Sequence, residues 1–390
     1  MAALDIQKTF TETFGAGGDI GCFFAPGRIN LIGDHTDYCG GHVFSCAISL
    51  GSYGAIRRRS DRQILLASKA LGTDGIIEAS LDSLEKTRMP SWLLLPFNII
   101  RSFIAKGCTF DSGFEIVIET DLPTDSGLSF TASLDILTAI MLRDTFGFSD
   151  MDNLGLALLA AYSEETFGRT MCSLTDLIAC ALSKENSAIY IDSKKVHCEY
   201  VPLSLKDNQI ILTGSQIRHG NIRDILSQRR RECEKALKKF QSVLHITALC
   251  DMNMDQFVSC KDVLMDDTLT KRARHIISEN QRTIRANSVL KAGSIASFGR
   301  LLNDSHRSLK EDYEVTCPEI DLLVDLAMKV RGVLGSRMTG KGFGGYTLTL
   351  LKTDAAEEFR SNIALNYSRL SWLDAEFYVL KPGRGAARIN

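Results

Sequence analysis

The segment Ala25-Pro26-Gly27-Arg28-Ile29-Asn30-Leu31-Ile32-Gly33-Asp34-His35-Thr36-Asp37-Tyr38-Cys39-Gly40-Gly41 constrains this chain more than any other. An apolar run at residues 22–25 predicts a short strand, which Pro26-Gly27 breaks into a turn. Arg28, Asp34, His35 and Asp37 then fall within ten positions, divided by Gly33 and closed by Gly40-Gly41. Carboxylates accept hydrogen bonds from hydroxyls, while His and Arg donate or orient. Four such side chains on a glycine-flanked loop suit a polyhydroxylated ligand.

Around this loop the chain alternates strand-like and helix-like runs without the regular beat of a doubly wound sheet, so the fold class is α+β. Apolar runs at residues 21–25, 42–50, 63–68, 114–119, 188–192 and 209–213 predict strands. A helical apolar period marks 131–146, 153–166, 225–244, 271–291, 294–305 and 319–329. The C-terminal stretch reads as a strand at 346–351, a helix from 354 and a strand at 375–380. A chain of 390 residues accommodates two domains. The charged stretch 194–207 is the best internal boundary, dividing the chain into 1–195 and 196–390.

Composition narrows the function classes. A formal net charge of −2 gives no argument for a nucleic-acid or membrane partner. Residues 1–10 lack a basic region followed by an apolar core, so no signal peptide is expected. Apolar runs such as Leu93-Leu94-Leu95 are too short to span a bilayer. The 11 cysteines are scattered, odd in number and without a Cys-x-x-Cys pair. That usage fits reduced, buried thiols in a cytoplasmic protein and argues against a zinc site.

Two further glycine-rich runs carry chemistry. Leu122-Pro123-Thr124-Asp125-Ser126-Gly127-Leu128-Ser129-Phe130-Thr131-Ala132-Ser133 follows a strand and opens an apolar helix. Free backbone N–H groups and the positive end of the helix dipole favour an anion there. By its residues alone the run also reads as an ordinary strand–helix turn with a hydroxyl cap. Gly335-Ser336-Arg337-Met338-Thr339-Gly340-Lys341-Gly342-Phe343-Gly344-Gly345 imitates a Walker A loop as far as Lys341. The next residue is Gly342, not Ser or Thr, so the hydroxyl that such loops place on magnesium is missing. The run also reads as ending a helix and preceding a strand, the reverse of the Walker order.

Asp176 is the only acid in the uncharged stretch 171–183. An unpaired acid in such surroundings carries a perturbed pKa and is a candidate functional group, although an Asp beside a Thr also commonly caps a helix. Arg28 is its natural partner, since a guanidinium would keep the carboxylate ionised, although by itself Arg28 also reads as half of a surface ion pair. Glu164 reads either as a ligand or as a solvated helix residue. Trp92, after Pro90 and before an apolar helix, reads by itself as core.

The three glycine-bearing runs together resemble the galactokinases, of the small-molecule kinase superfamily that also holds homoserine, mevalonate and phosphomevalonate kinases. Arg218-His219, Arg229-Arg230-Arg231-Glu232-Cys233, Ser305-His306-Arg307-Ser308-Leu309 and Asp312-Tyr313-Glu314-Val315-Thr316-Cys317-Pro318-Glu319-Ile320-Asp321 match as well. The resemblance therefore runs from about Phe24 to the end. It implies a ribosomal-S5-like N-terminal domain and a ferredoxin-like C-terminal domain with the active site in the cleft between them. The implied reaction moves the γ-phosphoryl of ATP to the anomeric hydroxyl of galactose. Asp176 and Arg28 would be catalytic, and Asp34, His35, Asp37, Ser173 and Leu226 would face the sugar. Trp92, Ser126, Gly127, Leu128, Ser129, Thr131, Ala132, Ser133, Gly342 and Gly344 would face ATP, with Trp92 near adenine. Thr131 and Glu164 would hold Mg2+. A cytoplasmic monomer is expected.

Several positions depart from the galactokinase pattern. Asp125, Phe130 and Lys341 stand where Gly, Ser and Gly are usual. In the sugar pocket Asp34 replaces Glu, Ser173 Gly, Leu177 Gln and Leu226 Tyr. Asp34 is one methylene shorter, which withdraws its carboxylate by about 1.5 Å. A pocket with several altered partners points to galactose, another hexose, an amino sugar or a sugar acid. Two other readings stand beside the kinase: a non-catalytic sugar and nucleotide sensor on the same fold, and a kinase for a non-sugar alcohol. The Asp176–Arg28 pair argues against the first, and His35-Thr36-Asp37-Tyr38 against the second.

Overall fold

The computed structural model describes residues 5–72, 75–84, 91–123, 127–168, 172–217 and 222–390. In chain order the elements are α1 (Ile6–Phe14), β1 (Gly21–Ile32), β2 (His42–Arg58), β3 (Gln63–Ala67), β4 (Ile77–Ser80), α2 (Leu94–Ala105) and β5 (Phe114–Thr120). Then come α3 (Phe130–Phe146), α4 (Asn153–Thr166), α5 (Leu174–Leu182), β6 (Ser187–Asp192), β7 (His197–Pro202), β8 (Asn208–Gly214) and α6 (Arg223–Phe240). The rest are α7 (Met254–Cys260), α8 (Asp267–Lys291), α9 (Ile295–Ser308), α10 (Pro318–Met328), β9 (Val333–Thr339), β10 (Tyr346–Lys352), α11 (Ala356–Ser371), β11 (Glu376–Val379) and β12 (Ala387–Arg388). The α+β reading therefore holds.

Eight strands form one sheet, ordered β12-β1-β2-β5-β3-β4, with the β6–β7 hairpin attached to β2. All pairs are antiparallel except β3 with β5. Helices α2, α3, α4 and α5 cover one face, and Phe97, Leu134, Leu137, Leu156 and Ile178 join Ile56, Ile116 and Ile118 of the strands in one core. The division at 195 falls in the turn of the β6–β7 hairpin, both strands of which belong to this sheet, and β12 returns to pair with β1.

The second sheet, β11-β8-β10-β9, is antiparallel throughout. Side chains alternate along its strands. Ile211 and Leu351 face α10 and α11, packing with Leu323, Phe359 and Ile363. Ile210, Leu212, Leu348 and Leu350 face the other way, onto Phe298 and Leu302 of α9 and onto Ile29 and Leu31 of β1. That shared core fixes the first sheet against the second and so fixes the cleft between them.

Two sequence expectations are corrected. The first strand does not stop at residue 25: β1 runs on to Ile32 through a register shift between Pro26 and Arg28, so Arg28 sits on a strand rather than on a loop. The bulge lets the ladder pass the proline, which has no N–H to give. The run 335–345 does not end a helix. Its first five residues close β9, and Gly340 to Gly345 turn the β9–β10 hairpin. All eleven cysteines are free.

Candidate active site

The cleft holds a cavity lined by Arg28, Asn30, Asp34, His35, Asp37, Tyr38, Ser173, Thr175, Asp176, Leu226, Arg230, Gly340 and Lys341. Arg28 comes from the bulged part of β1 and Asp176 from the first turn of α5. The helix is capped not by Asp176 but by Ser173, whose hydroxyl accepts from Asp176 N at 3.2 Å. With the cap supplied elsewhere, the Asp176 carboxylate is left for Arg28. The guanidinium donates to Oδ1 through Nε at 2.7 Å and lies 2.6 Å away through Nη2. Both contacts end on Oδ1, and Oδ2 takes neither. Burial alone would favour a neutral Arg28, but Asp176, with Asp34 behind it, raises the pKa instead. The Arg28 guanidinium is thus held charged in the wall of the cavity.

The signature loop is preset by the protein. Gly33 lies at φ 96°, and a Cβ there would meet His42 O at 2.6 Å, so the turn requires glycine. Its N–H donates to Glu279 Oε1 at 3.0 Å, which also accepts from Ser305 Oγ at 2.6 Å. Burial pushes Glu279 upward, but Arg282, Arg337 and His275 overcome it and bring its pKa down to about 2. Asp34 accepts from Asn30 Nδ2 at 2.5 Å and pairs with the fully buried Arg337 of β9. It lines the cavity while its carboxylate is tied on both oxygens.

His35 sits at φ 68° with Nδ1 3.1 Å from Tyr38 OH, and Nε2 is buried with no partner among the described residues. Burial, helped by His275 and Arg230, lowers its pKa to about 3, so the ring is neutral, with Nε2 unpartnered among the described residues. Tyr38 hydrogen-bonds Tyr313, whose ring packs between His35 and His275 at 4.7 and 4.6 Å. The Arg230 guanidinium lies 4.6 Å over the Tyr38 ring. Burial and then Asp176 raise the pKa of Asp37, against Arg230 and a Ser173 hydrogen bond. Leu226 gives the cavity an apolar patch, whereas Leu177 is buried in the first core and does not line it.

The other side of the cavity is the start of α3. Arg28 N donates to Leu128 O at 3.1 Å and Nη1 to Gly127 O at 3.2 Å, which joins the Arg28–Asp176 pair to this turn. A Cβ on Gly27 would stand 2.6 Å from Leu128 O, so glycine permits the contact. Ser129 takes the N-cap position at φ 65° without a side-chain cap, leaving the first N–H groups of a 17-residue helix uncapped by it. Leu128 and Ala132 are buried, and Ser133 Oγ is committed to Ala25 O at 2.8 Å and Ser52 Oγ at 2.9 Å, pinning α3 to the sheet. Ser126 and Asp125 lie outside the described residues, as do Arg218 and His219. Trp92 packs against the first core. Gly342 and Gly344 press on Val315 O and Ile217 O rather than lining the cavity.

Sequence reasoning missed one acid here. Asp135 lies one helical turn after Thr131, on the same face of α3. It is 1% exposed, and its Oδ2 has no hydrogen-bond partner among the described residues. Burial, then Glu164, raises its pKa well above the usual range. Glu164 of α4 is also raised by burial, opposed by Lys341 and by the Cys172 N–H. A lone Asp in an apolar helix was the available signal. Arg337, hidden inside the Walker-like run, offered none.

An uncapped helix start, a carboxylate–guanidinium pair and a loop of polar acceptors share one cavity. Together they define a small-molecule phosphotransferase acting on a polyhydroxy alcohol. Family comparisons carry this further. Residues 8–58 match the galactokinase galactose-binding signature, 96–184 the GHMP kinases N terminal domain and 286–369 the GHMP kinases C terminal domain. The chain is 38% identical to a galactokinase of Clostridium acetobutylicum over 368 residues, 94% of each chain. It is 41% identical to one of Lactobacillus helveticus over 369 residues, 94% of this chain and 95% of the other. The crystal structure of Lactococcus lactis galactokinase complexed with galactose superposes with a TM-score of 0.94 at 37% identity, covering 98% of both chains. A mevalonate kinase structure at 18% identity, with a TM-score of 0.63, shares the fold. The chain belongs to the galactokinase family and is an ATP-dependent sugar kinase.

Proposed function

We propose that this protein phosphorylates the anomeric hydroxyl of galactose, or of a hexose of closely similar hydroxyl pattern, from ATP. The observation that carries the reading is the Asp176–Arg28 pair in the cavity wall, bonded through one carboxylate oxygen only. Asp176 accepts the proton of the sugar O1–H as that oxygen attacks the γ-phosphorus. The O1–P bond forms, the bond from γ-phosphorus to the bridging oxygen breaks, and ADP leaves with its electron pair. Arg28 holds Asp176 in place through Oδ1 and shares the negative charge of the phosphoryl in transit. Asp37 accepts from sugar hydroxyls, and the free Nε2 of neutral His35 contacts another. Asp34, held by Arg337 and Asn30, shapes that end of the pocket, and Ser173 and Leu226 complete its walls. Positioning by these preset groups supplies much of the rate.

The triphosphate is assigned to the turn from Ser126 through Gly127, Leu128 and Ser129 into Thr131, with Ala132 and Ser133 fixing that helix start from behind. Trp92 is assigned to the adenine side, and Gly342 and Gly344 to shaping the opposing hairpin. Among the described residues no three His, Cys, Asp or Glu converge on one point. Thr131 and Glu164 are hard oxygen donors, and the unpartnered Oδ2 of Asp135 lies on the Thr131 face. A site with few protein ligands and uncompensated acid suits Mg2+, which completes its shell with phosphate oxygens and water. When bound, Mg2+ would neutralise triphosphate charge. We divide the chain near residue 195 into two functional units, sugar and ATP on the first and the glycine-rich hairpin on the second, with β7 and β12 of the second returning to the first sheet. No helix among the described residues is long and apolar enough to cross a membrane. A cytoplasmic monomer is the accompanying proposal.

The test is ADP release across a panel of monosaccharides, with 31P NMR of the product. Turnover of galactose to a sugar 1-phosphate is expected. ATP binding without turnover of any sugar would favour the sensor reading instead.

A further inference from the structure

We propose that Lys341 is a further catalytic group of this chain, its ammonium binding the oxygens of the transferring phosphoryl alongside Arg28. The inference rests on the kinase reading above. Lys341 lines the same cavity as Arg28 and Asp176. It stands at the tip of the β9–β10 hairpin, whose turn is folded through positive φ at Gly340, Gly342, Phe343, Gly344 and Gly345. The turn is anchored on its far side by Phe343 N to Val315 O at 2.8 Å and Gly345 N to Ile217 O at 3.2 Å. On its near side it approaches the α3 turn: a Cβ on Gly340 would lie 3.5 Å from Gly127 O. Gly127 O is also the acceptor of Arg28 Nη1. The hairpin tip, the anion-holding helix start and the catalytic pair therefore meet at one place.

The charge count supports the assignment. Three cations line the cavity. Arg28 is paired with Asp176, and Arg230 lies over the Tyr38 ring on the sugar side. Lys341 makes no ion pair within 4 Å with any described acid. A lysine half-withdrawn from water and without a carboxylate partner among the described residues is available to a phosphoryl group. It also faces the acids Asp135 and Glu164 on that side.

Lys341→Met and Lys341→Arg test the assignment, with steady-state kinetics and calorimetric ATP binding on each full-length protein. Lys341→Met is expected to lower kcat at least tenfold, to weaken ATP several-fold and to leave the sugar KM within about threefold. Lys341→Arg should recover most of kcat, and added ethylamine should partly restore turnover of Lys341→Ala. A kcat within twofold of wild type with unchanged ATP affinity would overturn the proposal. So would a loss that tracks a lowered melting temperature and that neither arginine nor ethylamine repairs. If wild type itself turns over no sugar, the kinase reading fails first, and the calorimetric arm still reports whether Lys341 binds ATP.

Discussion

The sugar side and the phosphate side of the cavity are built on opposite plans. On the sugar side nearly every buried polar group already has a protein partner: Asp34 has Arg337 and Asn30, Glu279 has Gly33 N, Ser305 and Arg282, and Tyr38 has Tyr313. On the phosphate side Ser129 caps nothing, Asp135 Oδ2 is unsatisfied and Lys341 has no acid within ion-pair distance among the described residues. A neutral sugar offers many weak hydrogen bonds, so its pocket gains from rigidity fixed in advance. A triphosphate with its metal brings large charges, so its pocket can leave charge unsettled until those ligands arrive.

Removing one partner from the sugar-side network is the severest way to break this contrast. Arg337→Ala leaves the carboxylate of Asp34 buried and uncompensated, at a cost of about 3–5 kcal/mol in urea unfolding. Loss of less than 1 kcal/mol would mean that the network does not preset the loop.

Acid is the next probe. His35 and His275 have native pKa values of about 3 and about 4, below the ordinary 6.5, because burial disfavours their charged forms. The unfolded chain binds protons that the native one refuses, so this stability is complete above about pH 6.5 and is lost as pH falls toward 4. Each group contributes a slope of about 1.4 kcal/mol per pH unit while only the unfolded form is protonated. Urea midpoints between pH 7.5 and 5 should show this decline, and His275→Gln should about halve its slope.

The phosphate side should respond with the opposite sign. Asp135 has a raised native pKa, so the native state holds a proton that the unfolded chain releases. The contribution of Asp135 to stability therefore falls as pH climbs from about 4 through its native pKa. Asp135→Asn removes that penalty and should stabilise the free protein at pH 8 by about 1 kcal/mol, the scale of one unsatisfied buried group. The gain should vanish near pH 4, and magnesium-dependent nucleotide affinity should weaken several-fold. A destabilised variant with unchanged affinity would place Asp135 outside the metal's reach.

The same contrast explains what could be read from the chain alone. Long amphipathic helices were legible because their period is local: α4 spans 153–166, as the pattern gives it. The Asp176–Arg28 contact was legible because Asp176 is the lone acid of its stretch. Elements whose reason is tertiary were not. β1 passes Pro26 only because β2 accommodates the bulge, and β9 carries the fully buried Arg337 because Asp34 waits across the cleft. Short edge pieces such as β12 depend on pairing with distant strands and leave no periodic trace. Asp34 was read as a sugar ligand from its motif, yet both of its oxygens are bonded to protein groups that a linear reading cannot bring together.

Asp176→Asn probes the meeting point of the two sides most directly. The amide keeps the shape of the carboxylate but accepts no proton, so kcat with galactose and ATP should fall by about 10²–10⁴-fold. Calorimetric affinities for sugar and for ATP should stay within about threefold of wild type. Turnover within tenfold of wild type, with both ligands still bound, would contradict Asp176 as the group that receives the proton.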